Sequence, residues 1–332
     1  MFVIGLTSLL VVIPFILDTE KSYIISLLFI CFINIGLAQG WNIVGGYAGQ
    51  ISLGQNAFFG VGAYVTAILW LNGVTGTWYY FDPLVMILSG FAPAVLAVAI
   101  GIPLLSKLRG DYFALGTLGL GEIMRVVVLR GGKLTGGVTG LFLDSSLYSS
   151  MKPYYFTGLF IALLGTAMIY LTSKSKTGLA LKAIKEDELA AAANGIHVLK
   201  YKIIAFAMGA FITGLCANLQ AYYVFHIHPL GFFSLTWTIY PLLMTVLGGI
   251  GTTLGPVIGA VFLTGVFAVS NIYLPGYQAI ISGLLIIVVI KFIPNGLIQL
   301  KALGSPGDTR VLKFALILLI FQSITETAHF LK

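Results

Sequence analysis

Long apolar runs recur from one end of the chain to the other, and charged residues stand almost entirely at the ends of those runs. Residues 2–17, 23–44, 83–105, 112–129, 153–171, 203–224, 254–270 and 277–293 are runs of this kind. A helix needs about 20 apolar residues to cross the hydrocarbon of a bilayer, with a lower limit of about 17. The runs therefore read as transmembrane helices, the first of them short. Charged residues make up only 9% of the chain, and mean hydropathy is +1.01. A soluble domain carries about 25% charged residues, so 29 charges on 332 residues (18 basic and 11 acidic) cannot cover a water-facing surface. The expected fold is an all-α polytopic membrane protein of about ten transmembrane helices with broken or re-entrant glycine-rich segments. Loop lengths leave no room for a separate soluble domain, so residues 1–332 read as one transmembrane domain.

The net charge of +7 is not a nucleic-acid footprint, because the basic residues cluster where apolar runs end, as they do on the cytoplasmic side of membrane proteins. Lys107 and Arg109 mark one such point, and the lysines from Lys174 to Lys185 mark another. If 112–129 and 153–171 both cross, these points share the inside, and counting backward leaves the N-terminus inside too. Aromatic residues at 78–81 suit the headgroup level. The closing hairpin turns around Leu274, Pro275 and Gly276. Lys291, Lys301 and Arg310 then mark a cytoplasmic exit, and 311–324 is short enough to lie along the interface instead of crossing.

Two stretches break the helical pattern. GGYAGQISLGQNAFFGVGAY at 45–64 carries five glycines between 45 and 60, too many for a smooth helix. Irregular backbone at membrane depth survives only where it is buried in protein or lines a cavity. This makes the stretch a candidate for the translocation path, against the plainer reading of a turn and a small-residue helix interface. Gln50, Asn56, Phe58 and Phe59 are its candidate pathway residues. GGIGTTLGPVIGA at 248–260 is similar in character and forms a faint internal repeat. Broken helices in the two halves of a transporter approach one central pathway. Asn34, Gln39 and Asn42 are costly against lipid and should face other helices.

Between Thr172 and Lys202 the apolar pattern stops, and six lysines join Glu186, Asp187 and Glu188. Ala183, Glu186, Ala190 and Ala193 recur at helical spacing, and Gly195 is a plausible stop. A charged, well-formed helix between two membrane spans suits a surface gripped by another protein. The plain alternative is an ordinary cytoplasmic loop.

Membrane-embedded acids are scarce. Glu122, three residues before Arg125 and on nearly the same helix face, is the main candidate, either in the pathway or as a packing pair. Gln220 lies within the 203–224 span as a further pathway candidate. A proton- or ion-coupled carrier ordinarily needs an ionisable relay, and this chain offers little of one. No nucleophile–base–acid set occurs, and RGGKLTGG at 130–137 lacks the spacing and the Ser/Thr of a phosphate-binding loop. Any ATP hydrolysis must come from another polypeptide. Cys31 and Cys216 lie in apolar runs and read as small core residues. His226 and His228 lack a partnered carboxylate or cysteine, so no metal site is expected.

Four blocks together resemble the M-type permease subunit of bacterial high-affinity branched-chain amino acid ABC importers, a family that also includes urea and amide permeases. They are WNIVGGYAGQISLGQNAFFGVGAY at 41–64, KLRGDYFALGTLGLGEIMR at 107–125 with TGGVTGL at 135–141, GLALKAIKEDELAAAANGIHVLKYKIIAF at 178–206, and GGIGTTLGPVIGA at 248–260. The resemblance covers about residues 30–300. It implies a type II importer permease of the bacterial inner membrane, paired with a second homologous permease subunit as a heterodimer. Two cytoplasmic ATP-binding subunits would use ATP and Mg, this chain itself binding no cofactor, and an extracytoplasmic binding protein would deliver substrate. Residues 173–202 would be the coupling segment, with Lys185, Glu186, Asp187 and Glu188 as charged contacts, Ala191 in the close-packed stretch and Gly195 as the stop. Gln55 and Asn56 depart from the His-Ala common in the family, and Asn194 from the common Leu. Leucine, isoleucine and valine are the expected cargo. Urea or short amides are the alternative, and an ion-coupled carrier or a neutral-solute channel is the rival of a different class.

Overall fold

The computed structural model describes residues 2–19, 22–74, 82–145, 148, 150–273, 280, 283–284 and 296–300. The aromatic stretch at 78–81, nearly all of the expected 277–293 span with its turn and Lys291, Lys301, Arg310 and the 311–324 run lie outside the described residues.

Apolar composition drives helix formation almost throughout, since a backbone in lipid must satisfy its own hydrogen bonds. Helices α1 (Phe2–Ile16) and α2 (Tyr23–Trp41) come first, and α2 runs into a π-helical turn, Asn42–Tyr47. An irregular stretch at 48–54 precedes α3 (Gln55–Leu71), then α4 (Pro83–Lys107) and α5 (Asp111–Arg130). Asp82 starts α4 by accepting from the Leu84 and Val85 amides, followed by Pro83 at the first helical position, where a missing N–H costs nothing. After the strand β1 (Leu141–Phe142) come α6 (Lys152–Lys174), α7 (Lys176–Glu186), α8 (Glu188–Ala193) and α9 (Val198–Val224). Strand β2 (His226–Ile227), the short α10 (Pro229–Phe232), α11 (Thr236–Gly248) and α12 (Gly255–Tyr273) follow. Among the described residues, seven helical segments are long and apolar enough to cross a membrane, with Thr7–Ile16 and Gln55–Leu71 as shorter apolar helices. The chain is an all-α, multi-pass membrane protein.

Helix α9 stands at the centre and packs on α4, α3, α2 and α6. Close approach depends on small residues, the usual device of membrane helices, which gain little from the hydrophobic effect against one another. A Cβ on Gly214 would fall 2.2 Å from the Ser89 carbonyl of α4, and one on Gly209 would fall 2.5 Å from the Gly40 carbonyl of α2. Cys31 and Cys216 are buried and unbridged within this packing. On the side away from the charged interruption, β1 and β2 pair antiparallel, Leu141 with Ile227 and Phe142 with His226. His226 lies flat on the Phe142 ring, with centroids 4.1 Å apart. Among the described residues no cluster of three metal-ligating side chains occurs.

The charged interruption differs from the single helix that its spacing predicts. It is two helices broken at Asp187, whose backbone is extended and whose carboxylate accepts from the Leu189 and Ala190 amides. An acidic residue at that point caps the second helix better than it continues the first. Gly195 does end α8, at φ +81°, a conformation that L side chains rarely adopt.

Candidate functional site

The two glycine-rich breaks and the charged interruption meet at one end of the bundle. The π-turn is permitted by Gly45 and Gly46, since a Cβ on either would strike the Trp41 ring or Asn42 Oδ1. Extra-wide turns of this kind recur at functional positions. Asn42, fully buried, reaches across to the second break. Its Oδ1 accepts from the Gly251 amide at 2.9 Å, and its Nδ2 donates to the Thr252 carbonyl at 2.9 Å. Gln39 adds a bond to the Thr253 carbonyl at 2.8 Å. A Cβ on Gly46 would come within 2.7 Å of the Gly251 nitrogen, so the backbones of the two breaks are in contact.

The interruption is bonded directly to this junction. Lys185, near the end of α7, donates from Nζ to the Gly46 carbonyl at 2.9 Å. That carbonyl lies at the end of the turn, where helix carbonyls lack an intrahelical donor. Glu188, at the start of α8, forms an ion pair with Lys202, whose side chain is only 1% exposed, and accepts from Gln50 Nε2 at 3.2 Å. Breaking such a pair strands a buried charge, at a cost of about 3–5 kcal/mol. α7, α8, α9 and the segment after the π-turn are thereby joined through four polar side chains. Each bond ends on backbone or on a buried partner, so α7 and α8 are held against the first break and, where Gly46 meets Gly251, beside the second.

The expected coupling residues divide into two sets. Lys185 and Glu188 bond inward, Asp187 caps α8, and Ala191 is the buried residue of α8. Glu186 is exposed and so are Leu179 and Leu189, at 65% and 70%. Leu179, Lys182 and Glu186 recur at three- and four-residue spacing on one exposed face of α7, giving the outer surface an apolar and mixed-charge character.

The expected pathway residues are not gathered in one place. Gln50 belongs to the junction just described. Asn56 is buried at the start of α3, where its amide donates to Thr238 Oγ1 at 2.9 Å and its side chain donates to the Phe233 carbonyl at 2.9 Å. Phe58 packs edge-on against Phe206, and Phe59 stacks on Trp237 with centroids 4.0 Å apart. Gln220 is half-buried on α9. Glu122 lies on the open face of α5, ion-paired with Arg125, and its side chain is 52% exposed. Of the amides expected to face other helices, Asn34 donates to Thr264 Oγ1 of α12 at 2.9 Å and Gln39 lies against Thr166 of α6, while Asn42 bonds the second break. Lys202 carries no local signature, since its partner is fourteen positions away and its burial depends on α9 starting at Val198.

Residues 23–290 match the family described as the permease component of branched-chain amino acid transport systems. The chain is 26% identical over 329 aligned residues to the high-affinity branched-chain amino acid transport system permease protein LivM of Salmonella typhimurium, covering 90% of this chain and 75% of that one. It is 24% identical to the probable branched-chain amino acid transport permease protein LivM of Methanocaldococcus jannaschii over 75% of this chain and 80% of the relative. It is 26% identical to the high-affinity branched-chain amino acid transport system permease protein LivH of Escherichia coli over 83% and 92%. No solved structure matches it. With most of its spans inside the matched region, this chain belongs to the permease components of branched-chain amino acid transport systems.

Proposed function

We propose that this protein is one membrane subunit of an ATP-driven importer for leucine, isoleucine and valine. It forms half of the translocation route beside a second homologous permease. Two cytoplasmic ATPases bind ATP and Mg and supply the work, and an extracytoplasmic binding protein delivers the amino acid. Family membership supports the cargo and the assembly. The observation that carries the mechanism is the bonding of the charged interruption to both glycine-rich breaks through Lys185 and Gly46, with Gly46 against Gly251.

In this reading the outer face of α7 and α8, with Leu179, Glu186 and Leu189, seats on an ATPase. Nucleotide-driven movement of the ATPases shifts the two helices as a unit. Lys185 and the Glu188–Lys202 pair pass that shift to the π-turn and to α9. Asn42 then moves the second break with the first. The work enters from outside the bundle, so no proton relay within it is required.

The test is reconstitution of the complete assembly in liposomes, followed by uptake of labelled leucine with and without ATP. The expected result is uptake that needs ATP, both permeases, the ATPases and the binding protein. Glu186→Lys is expected to cut that uptake while membrane insertion stays intact. Leucine uptake by the purified permease without nucleotide would establish a carrier or channel and overturn the proposal.

A further inference from the structure

Helix α5 carries a charged pair where a bilayer should tolerate none. Glu122 is eleven residues from the start of the helix and eight from its end. At 1.5 Å per residue it stands about 17 Å from one end and about 12 Å from the other, near mid-membrane. The helix packs mainly on α3 and presents an otherwise apolar open face, with Leu115, Ile123 and Val126 all exposed. Gly119, one turn before Glu122, has open space where a side chain would be. Arg125 pairs with Glu122, yet its Nε is buried without any hydrogen-bond partner. Facing lipid, the two charges would be costly. A dry interface would cover both charges and fill the space at Gly119. An aqueous route for a charged solute accounts for the exposed charged pair and for the open space at Gly119.

From this geometry, and resting on the reading of the protein as an amino-acid importer, we infer that Glu122 and Arg125 receive the zwitterionic head of the amino acid on its way through. The carboxylate of Glu122 takes the ammonium group, and the guanidinium of Arg125 takes the carboxylate in a two-point contact. The protein's own ion pair is exchanged for two pairs with the solute, so the site stays neutral throughout. Leu115, Ile123 and Val126 border the branched side chain, and the gap at Gly119 gives it room. An uncharged solute such as urea can hydrogen-bond here but forms no ion pair, so the pair contributes selection for amino acids after release from the binding protein.

The test uses the complete assembly in liposomes with Glu122→Gln/Arg125→Gln, a neutral pair that can still hydrogen-bond internally. ATP-driven leucine uptake should fall at least about tenfold, as expected when both charged contacts to a transported ion are lost, while assembly yield and melting temperature match the unsubstituted complex. Uptake within about twofold of the unsubstituted complex, or a loss of uptake that tracks a loss of assembly or melting temperature, would overturn the inference and leave a packing pair. Gly119→Cys should react with a charged, water-soluble thiol reagent, and absence of labelling would overturn the aqueous route. If the unsubstituted assembly itself shows no ATP-driven leucine uptake, the functional reading has failed instead.

Discussion

Lys185 Nζ donates to the carbonyl of Gly46 at 2.9 Å, tying the last turn of α7 to a π-turn that lies 139 positions earlier in the chain. The bond ends on backbone, so any movement of α7 is applied to the path of the chain itself. Lys185→Met removes the donor and keeps most of the apolar stem. The expected outcome is a stability loss of only about 1 kcal/mol, the usual net worth of one hydrogen bond. Leucine imported per ATP hydrolysed should fall, which paired uptake and phosphate-release measurements on the reconstituted assembly will check.

The Glu188–Lys202 pair should behave as a structural element as well as a link. Glu188→Gln leaves the Lys202 ammonium buried against a neutral amide and is expected to lower stability by about 3 kcal/mol. Glu188→Leu with Lys202→Met removes both charges and should cost less than the sum of the single changes. Thermal unfolding of the four combinations in detergent gives the coupling directly.

Contact between the two breaks rests on the absence of a side chain at Gly46. In Gly46→Ala the added Cβ meets Asn42 Oδ1 and the Gly251 nitrogen, so the breaks must separate. Stability should drop by about 1–3 kcal/mol, as in other overpacked sites. Gly265→Ala on α12 meets nothing within 4 Å and should leave stability unchanged or raise it by up to about 1 kcal/mol, since alanine favours the helix. Melting temperatures of the two variants separate a local clash from a general effect of alanine.

Asn56 makes three bonds with Phe233 and Thr238, all of them buried. Asn56→Ala keeps the backbone bond but leaves the Phe233 carbonyl without this donor. The expected loss is about 2 kcal/mol, the cost of an unsatisfied buried group. Unfolding in detergent measures it. A loss of that size with ATP-driven uptake retained would place Asn56 in the scaffold, not on the route.

Periodicity and charge placement alone were enough to read an all-helical membrane protein, the glycine-rich stretches at 45–64 and 248–260 as breaks, and the polar segment at 172–202. Each of these is local: a helix in lipid must bond to itself, glycine weakens it, and six lysines with three acids cannot enter hydrocarbon. The inward or outward role of each charge was not local. Glu186, Asp187 and Glu188 are neighbours in sequence, yet one is exposed, one caps a helix and one pairs with a buried lysine. Asp187 was free to continue a helix or to cap the next, and the docking of α8 on α9 decided for the cap. Gln50 and Asn56 read alike as pathway amides, but packing set one against Glu188 and the other against Thr238. Contacts such as Lys185 with Gly46 and Asn42 with Gly251 join residues more than a hundred positions apart. Spacing within a helix carries no information about such distances. They follow only from which small-residue faces the bundle brings together around α9.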